Sequence, residues 1–382
     1  MVNPHPQSIR RVGVIGGGQL AWMMAPAAQA LGLELVIQTP KADDPAVAIA
    51  AATVLAEVGD GEATASLAAQ CDVITFENEF IDCAGLQGLV NRGVVFRPSL
   101  AVLDLVLDKA RQRQYFDRIG LANPRYTVLE AGEDLTTRAE ALGFPLVIKN
   151  RRLGYDGYGT AMVSSPDQLI PLWEKLGRRP VLLEEFVPFK QELAVMVARS
   201  KQGEIAVYPT VETQQVNQIC RRVFVPAPIS PAIAATMDNL ARTLAASLDL
   251  VGILGIECFL TQDDRVLINE IAPRTHNSGH YSLDACRTSQ FEQQLRAVSD
   301  RPLGSTELIC PQAIMINLLG LEQSQSAHHD KIHTLKTIPN SHLYWYEKAI
   351  RPGRKLGHIT LCPPSNDDPV ALSRSIENLW YT

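Results

Sequence analysis

The alternation of apolar and polar segments near the N-terminus predicts a parallel α/β domain. Apolar, β-branched runs at Val12–Ile15, Leu33–Ile37 and Val73–Phe76 are separated by a glycine turn and by helix-length segments. We expect one more strand in the stretch GVVFRPS, residues 93–99. Strands that alternate with helices are typical of a parallel sheet. Residues 1–100 are therefore predicted to form one α/β domain.

A helix is predicted directly after Ser99, whose hydroxyl can cap the first turn. Apolar residues from Val102 to Ala110 keep helical spacing, and the pattern continues to Gly120, where we expect the helix to end. Lys109 lies within this predicted helix. Its immediate sequence does not distinguish it from an ordinary solvated lysine.

A glycine-rich segment then follows a predicted strand–helix–strand unit. The strands are Arg125–Leu129 and Phe144–Lys149, and the helix between them ends at Leu142. The segment NRRLGYDGYGTAMV leads into another strand, so its backbone N–H groups can close over phosphates as in kinases. An ordinary hairpin is the alternative, and Lys149 at the strand end favours a nucleotide. We call this segment the flap; its glycines are Gly154, Gly157 and Gly159.

The stretch VLLEEFVPFKQEL is predicted to be a strand that runs into a loop. Backbone groups at such an edge can face an adenine ring while a nearby carboxylate holds ribose hydroxyls. An edge strand with solvated acids is the alternative interpretation.

Two apolar strands, Ile253–Leu260 and Val266–Ile271, predict a hairpin with buried acids. A two-residue loop at Asp263-Asp264 would place Glu257 directly opposite Glu270, with Cβ atoms ~5 Å apart. Two carboxylates repel each other at this distance unless a cation lies between them. Mg²⁺ prefers carboxylate and phosphate oxygens, so we predict a magnesium site here.

The hairpin leads into the polar segment INEIAPRTHNSGH, which would place hydrogen-bond donors just beyond the metal. Farther on, Pro352 and Gly353 predict a tight turn that displays the cations Arg351, Arg354 and Lys355. Guanidinium groups on such a turn suit recognition of a phosphate, although surface solubility is the alternative.

A dinucleotide fingerprint is formally present at Gly16, Gly18 and Ala21. The acid expected about 20 residues later is missing, because the second strand ends in Val-Ile-Gln-Thr, residues 36–39. We therefore disfavour NAD. The alternatives are close packing of the strand against the helix and a small-phosphate site at the helix N-terminus.

Composition limits the class of protein. A chain of 382 residues predicts two or three domains, and a net charge of −6 argues against nucleic-acid binding. Seven scattered cysteines without a C-x-x-C motif suit reduced thiols better than disulfides or a zinc site. The first residues, MVNPHPQSIRR, contain no apolar h-region, and no later stretch is a convincing apolar span. We expect a cytoplasmic protein with no membrane partner.

The order of these motifs resembles the ATP-grasp superfamily, and specifically the 5-(carboxyamino)imidazole ribonucleotide synthase family. Matching segments run from GVIGGGQL through LDKARQRQYF and VIKNRRLGYDGYG to NEIAPRTHNSGH and RPGRKLGH, and the last two are the specific ones. The resemblance implies a fold of the α/β and α+β classes: an ATP-grasp domain between an N-terminal pre-ATP-grasp domain and a small C-terminal β-rich domain. The N-terminal domain would span residues 1–100, the ATP-grasp domain 101–309 and the C-terminal domain 310–382. The flap subdomain would lie within the ATP-grasp domain, at about 123–185.

The resemblance also implies an activity. Enzymes of this family carboxylate 5-aminoimidazole ribonucleotide with bicarbonate in purine biosynthesis, using ATP and Mg²⁺ and passing through carboxyphosphate. The products are the N-carboxylated nucleotide, ADP and phosphate. We also expect a homodimer.

By motif position, the resemblance assigns roles to individual residues. ATP-binding positions would be Lys109, Lys149, Gly154, Tyr155, Asp156, Gly157, Tyr158, Gly159, Glu184, Glu185, Phe186, Val187, Glu192, Gln215, Asn269 and Glu270. The magnesium ligands would be Glu257 and Glu270. Positions that act on bicarbonate, carboxyphosphate or the aminoimidazole would be Arg274, His276, Asn277, Asp156 and Lys348. Positions that bind the nucleotide substrate would be Gly18, Gln19, Leu20, Tyr155, Arg351, Arg354 and Lys355.

Three positions depart from the family pattern. Leu153 stands where a first flap glycine is common, and Gln215 stands where a histidine is usual. In TFENEF the order of acids differs, with Asn78 between Glu77 and Glu79, which weakens any role for these two acids. The rival functions are a formate-using ATP-grasp transformylase, an NAD oxidoreductase and a catalytically inactive nucleotide-binding regulator.

Overall fold

The computed structural model describes residues 9–130, 133–152, 159–321 and 326–381. The α-helices are α1 Gln19–Trp22, α2 Ala25–Leu31, α3 Gly61–Ala68, α4 Cys83–Asn91, α5 Leu100–Val106, α6 Lys109–Arg118, α7 Leu135–Leu142, α8 Pro166–Lys175, α9 Pro231–Ser247, α10 Ser282–Ala285, α11 Gln290–Val298, α12 Ser326–Lys336 and α13 Pro369–Tyr381. The strands are β1 Arg11–Ile15, β2 Glu34–Thr39, β3 Ala52–Leu55, β4 Val73–Phe76, β5 Tyr126–Leu129, β6 Leu146–Asn150, β7 Thr160–Val163, β8 Val181–Glu185, β9 Phe189–Arg199, β10 Ile205–Val207, β11 Val211–Val216, β12 Ile219–Val225, β13 Gly252–Thr261, β14 Val266–Ala272, β15 Ala313–Leu319, β16 Ser341–Trp345 and β17 Lys355–Leu361. Short 3-10 helices lie at Pro45–Ile49 and Asn277–Gly279.

The N-terminal unit contains the predicted parallel sheet, in the order β3-β2-β1-β4. The strand expected at residues 93–99 is wrong as a regular strand, because Phe96 makes only an isolated bridge to Ile74. Pro98 has no N–H with which to extend the ladder. The carboxyl ends of β1 and β4 meet beside the glycine turn, which places the acids that follow β4 next to it.

The helix predicted to run from Ser99 to Gly120 is wrong in one respect, since it is broken between α5 and α6. Ser99 caps α5 as expected. Asp108 then leaves the helical conformation and accepts hydrogen bonds from the N–H groups of Ala110 and Arg111, which starts a second helix. Apolar spacing continues across the break, so the pattern alone did not reveal it. Lys109 consequently lies at the beginning of α6.

A small antiparallel sheet, in the order β5-β8-β6-β7, carries the strands on either side of the flap. Helices α7 and α8 pack against it around a core that includes Leu129, Ile148, Leu183 and Leu169. This packing fixes β6 and β8 side by side, and their ends project toward the large sheet.

In the described part of the chain the large sheet has nine strands, in the order β14-β13-β9-β11-β12-β15-β17-β16 with β10 paired to β9. Strands β15, β16 and β17 lie beyond residue 310, so this sheet crosses the proposed boundary of the C-terminal domain. Helix α9 packs on β9 and β13. Helix α11 contributes Phe291, Leu295 and Val298 to the core of the N-terminal unit, which joins that unit to the large sheet.

None of the helices in the described ranges is both long enough and apolar enough to cross a membrane.

Candidate active site

The acidic hairpin has the predicted pairing of Glu257 with Glu270, but it reaches that pairing by a different route. The expected two-residue loop is wrong: the turn spans 262–264, with Asp264 in the left-handed region at φ +62°, and Leu260 pairs with Val266. This loop shifts the register by one residue. A bulge beside Glu257 shifts it back, because it accommodates Asn269 as an extra residue.

The bulge explains how two neighbouring side chains both reach the site. In a regular strand, adjacent side chains point to opposite faces of the sheet. Here Asn269 Oδ1 accepts a hydrogen bond from Lys149 Nζ at 3.2 Å, and Glu270 Oε2 pairs with Lys109 Nζ at 2.7 Å. Lys109 reaches Glu270 from the first position of α6, which depends on the helix break at Asp108. The structure thus brings together the two predicted lysines and the acidic hairpin, which we call the metal hairpin after its predicted ligands Glu257 and Glu270.

A network of buried ion pairs holds Lys149 in this position. Arg113 Nε lies 2.6 Å from Glu184 Oε1, and Lys149 Nζ lies 2.6 Å from the other oxygen of the same carboxylate. Arg113 also donates to the carbonyl oxygens of Ile268 and Asn269, at 3.0 and 2.7 Å. Burial alone would raise the pKa of Glu184, but Arg113 and Lys149 lower it to about 2. The Glu184 carboxylate therefore fixes Lys149 and is turned away from solvent.

Arg113 was missed in the sequence analysis, although a signal was present. It lies three residues after Ala110 and three before Phe116, on the apolar face of its helix, and it is only 2% exposed. An arginine on such a face requires a buried partner, since an unpaired buried charge is costly. The sequence did not identify that partner, because Glu184 is distant along the chain.

The hairpin carboxylates fit a divalent cation. Burial, together with Glu270 and Glu192, raises the pKa of Glu257 to about 7. Burial would also raise the pKa of Glu270, but Lys109 lowers it below its usual value. Within the described residues, no group of three or more His, Cys, Asp or Glu side chains is arranged to hold a metal. Mg²⁺ commonly uses one or two protein carboxylates and completes its shell with phosphate oxygens and water.

The predicted adenine edge follows β8. Glu185 is engaged by Arg125, whose Nε lies 2.7 Å from Glu185 Oε2. Phe186 is 40% exposed and Val187 is buried, which places an exposed aromatic ring beside an apolar floor. Burial raises the pKa of Glu192 on β9 to about 7. The combination of an apolar edge and a partly protonated carboxyl is compatible with a base and a ribose.

Arg274 connects the large sheet to the N-terminal unit. Its Nε lies 2.7 Å from Glu79 Oε1, and its Nη1 donates to the carbonyl of Thr275 at 3.0 Å. The altered order of acids in TFENEF thus still supplies a partner for Arg274. The altered order of acids predicts a weaker role for Glu79, whereas the geometry makes it a direct neighbour of the candidate bicarbonate residue.

His276 and Asn277 lie in the loop after β14 and contact different parts of the molecule. His276 Nε2 is 3.5 Å from Glu257 Oε1, and its Nδ1 is 2.8 Å from Ser278 Oγ. Asn277 and Asn317 of β15 exchange two side-chain hydrogen bonds, at 2.9 and 2.7 Å. The loop after β14 is therefore fixed to the metal hairpin at one position and to the C-terminal strands at another.

The glycine turn before α1 already faces an anion from the protein itself. The N–H of Leu20 donates to Glu77 Oε1 at 3.3 Å, and a Cβ on Gly18 would lie 2.3 Å from that oxygen. Close approach of the Glu77 carboxylate thus requires glycine at position 18. The Gln19 amide oxygen accepts a hydrogen bond from Lys348. These contacts bring the N-terminal and C-terminal candidates for substrate binding together.

The basic turn has the predicted glycine geometry, with Gly353 at φ +75°. Arg351 is exposed, whereas Arg354 and Lys355 are half-buried. Lys355 begins β17 and lies close enough to Glu257 to lower the pKa of that carboxyl relative to burial alone. The turn therefore extends from solvent at Arg351 to the metal hairpin at Lys355.

The candidate residue Gln215 lies away from this centre. Gln215 lies opposite Cys220 at the β11–β12 pairing, and β9 separates β11 from the metal hairpin. Gly159, the last of the flap glycines, has φ +77°. The remaining flap positions lie outside the described residues: Leu153, Gly154, Tyr155, Asp156, Gly157 and Tyr158.

Comparison with known proteins identifies the family. An ATP-grasp domain matches residues 114–291, a ribonucleotide synthetase preATP-grasp domain matches residues 9–106, and a phosphoribosylaminoimidazole carboxylase C-terminal domain matches residues 313–369. The N5-carboxyaminoimidazole ribonucleotide synthase of Synechococcus elongatus is 56% identical over 354 residues, which cover 92% of this chain and 89% of that protein. The chain belongs to the N5-carboxyaminoimidazole ribonucleotide synthase family.

Other members of the family agree in sequence and fold. The Synechocystis enzyme of the same name is 48% identical over 385 residues, covering 97% of this chain and 98% of its own. The crystal structure of the Aspergillus clavatus synthase, in complex with ADP and 5-aminoimidazole ribonucleotide, superposes with a TM-score of 0.89 at 35% identity, covering 97% of each chain. The predicted ATP-grasp fold, with its N-terminal and C-terminal additions, is confirmed, and the chain is an enzyme of this ligase family.

Proposed function

We propose that this chain carboxylates 5-aminoimidazole ribonucleotide with bicarbonate, consuming ATP and releasing ADP and phosphate, as a step of purine biosynthesis. The observation that best supports this proposal is the pairing of Glu257 with Glu270 beside Lys109, with His276 Nε2 3.5 Å from Glu257 Oε1. This centre combines a cation site, a phosphate-neutralising lysine and donors for a small anion. Relatives named for the same activity support the assignment.

On this proposal, the ATP side of the site is formed by Lys109, Lys149 and the edge after β8. The two ammonium groups stabilise negative charge on the transferring phosphoryl group, and Glu184 and Asn269 hold Lys149 in place. Mg²⁺ bound by Glu257 and Glu270 would neutralise polyphosphate charge. Formation of carboxyphosphate then requires bicarbonate to lie between the γ-phosphate and the loop after β14.

Arg274 and His276 hold the bicarbonate or the carboxyphosphate made from it. The exocyclic amine of the aminoimidazole attacks the carboxyl carbon, the new C–N bond forms, and phosphate leaves with the electrons of the C–O bond and takes up the proton that the amine loses. Gln19 and Lys348 face the imidazole side, and Arg354 with Lys355 binds the ribose phosphate. Protection of carboxyphosphate from water is part of this function, because hydrolysis would waste ATP.

The deciding experiment measures ADP release by the purified chain with ATP, Mg²⁺ and 5-aminoimidazole ribonucleotide in degassed buffer, with and without added bicarbonate. We expect ADP and the carboxylated nucleotide to form together, and only when bicarbonate is present. Release with formate in place of bicarbonate would support the transformylase alternative. Absence of nucleotide-dependent ADP release would contradict the proposal.

The domain limits given above, the cytoplasmic location and the homodimer remain predictions.

A further inference from the structure

The buried side-chain amide of Gln290 forms hydrogen bonds with the loop that carries His276. Gln290, the first residue of α11, is 0% exposed. Its Oε1 accepts the His276 N–H at 2.9 Å, and its Nε2 donates to the His276 carbonyl at 2.7 Å. The same Nε2 lies 2.9 Å from His280 Nδ1. One side chain therefore binds both polar groups of the His276 backbone and one ring of the next histidine.

The surroundings leave this amide a single orientation. Burial lowers the pKa of His280 well below its usual value, so the ring is neutral and its Nδ1 can accept the Gln290 N–H. The Gln290 backbone N–H donates to Ser282 Oγ at 2.9 Å, and Ser282 Oγ donates to the Gly279 carbonyl at 2.6 Å. A Cβ on Gly279 would lie 2.5 Å from Gln290 Oε1, so the loop packs directly on the amide.

We propose that Gln290 is a positioning residue for carboxyl transfer: it fixes the His276 backbone and so places the imidazole beside the hairpin carboxylates. The inference rests on the proposed function, because it assigns Gln290 a task in the same site. His276 also packs closely on β13, where a Cβ on Gly255 would lie 2.7 Å from His276 Cβ. Because His276 packs against β13 on one side and is held by Gln290 on the other, its imidazole has little freedom to move away from Glu257.

The same helix supplies a matched comparison. Gln293 is also 0% exposed, and its amide exchanges two hydrogen bonds with Gly304, at 2.7 and 2.8 Å. It thus stabilises a loop in the same way as Gln290, but that loop carries none of the candidate site residues. Removing either buried amide should lower the stability of the protein. Only removal of the Gln290 amide should also impair carboxyl transfer, because only Gln290 holds a loop that carries candidate site residues.

The test compares Gln290→Met with Gln293→Met, since methionine preserves length and burial but forms no comparable hydrogen bonds. For each variant we would measure thermal stability, the KM for ATP, kcat, and the ratio of ADP released to nucleotide carboxylated. Gln290→Met should lower kcat for the carboxylated product by about ten- to a hundredfold. Its KM for ATP should stay within about twofold of wild type, and the ADP-to-product ratio should rise as carboxyphosphate is lost to water.

Gln293→Met should retain the wild-type ratio at a temperature where both variants are folded. Equal ratios and equal kcat in the two variants would overturn the proposal, even if both were less stable. If Gln290→Met does not fold, Gln290→Leu also removes both hydrogen bonds to the His276 backbone and should give the same uncoupling. The wild-type protein separates the two hypotheses. If its turnover does not depend on bicarbonate, the proposed function itself is wrong. If its turnover does depend on bicarbonate but the Gln290 variant still carboxylates one nucleotide for each ADP released, only the positioning role is wrong.

Discussion

The two carboxylates of the metal hairpin have different electrostatic partners. Glu270 pairs with Lys109 at 2.7 Å, which lowers its pKa despite burial, whereas burial, together with Glu270 and Glu192, raises the pKa of Glu257 to about 7. Glu270 is therefore ionised throughout the neutral range, while Glu257 is close to its midpoint. A cation between them would favour the ionised form of both. The sequence suggested an equivalent pair, and the difference arises from neighbours that are distant in sequence.

Replacement of Glu270 by glutamine should abolish ATP turnover while the fold is retained. An amide is a poor substitute for a carboxylate ligand of Mg²⁺, and it also leaves Lys109 without its anionic partner. We expect ADP release to fall by at least about a hundredfold, which corresponds to a loss of electrostatic stabilisation of the transition state. The control is Asp263→Asn at the exposed end of the same hairpin, which should keep its activity. Wild-type turnover of Glu270→Gln at ordinary magnesium would refute the metal assignment.

Lys348 should give the reaction an alkaline limit. Burial lowers its pKa from 10.5 to about 8, so the ammonium loses its proton as the pH rises through about 8. If the charged form contacts the aminoimidazole nucleotide, kcat/KM for that nucleotide should fall over the same interval. Lys348→Arg keeps its charge at higher pH and should shift the decline upward. An identical alkaline limb in the wild type and this variant would exclude Lys348 as its source.

At the level of elements, local pattern predicted much of the fold but not the irregularities that shape the site. The facing of Glu257 and Glu270 was predicted correctly, although the turn assumed for it was wrong and the bulge at Asn269 compensated. The break before Lys109 was missed, because apolar spacing is insensitive to a single capping residue such as Asp108. Local periodicity reports burial, whereas bulges and caps depend on contacts made after the elements pack.

Helix α6 and strand β8 should depend strongly on Arg113. Removing one member of a buried ion pair typically costs 3–5 kcal/mol, roughly, because the remaining charge stays buried without a partner. We therefore expect Arg113→Met to lower the free energy of unfolding by about that amount in a denaturant titration. Arg125→Met removes the partner of the neighbouring acid, Glu185, but Arg125 is 69% exposed, so its loss should cost less than about 1 kcal/mol. Similar losses in the two variants would contradict the structural role given to Arg113.

At the scale of the whole molecule, the site forms where three parts of the chain meet. Lys348 of the C-terminal part contacts Gln19 of the N-terminal unit, and Arg274 of the central sheet pairs with Glu79. Arg97 strengthens the junction through Nη1, which donates to the carbonyl of Val298 at 2.7 Å. Substrate binding should therefore depend on residues from all three parts, whereas ATP contacts should come mainly from the two central sheets.

Arg354 provides the test of this division. A hydrogen bond to a charged group contributes roughly 1.5–3 kcal/mol, so Arg354→Ala should raise the KM for 5-aminoimidazole ribonucleotide by about ten- to a hundredfold. The KM for ATP should change little, since Lys109, Lys149 and the metal hairpin serve that phosphate chain. Arg374→Ala, on the exposed face of α13, removes the same charge from the C-terminal part and should leave both constants unchanged. Both KM values should be measured for each variant with the other substrate saturating. A rise in the KM for ATP alone would place the basic turn in the ATP site, because loss of a contact to the ribose phosphate should weaken binding of 5-aminoimidazole ribonucleotide and not of ATP.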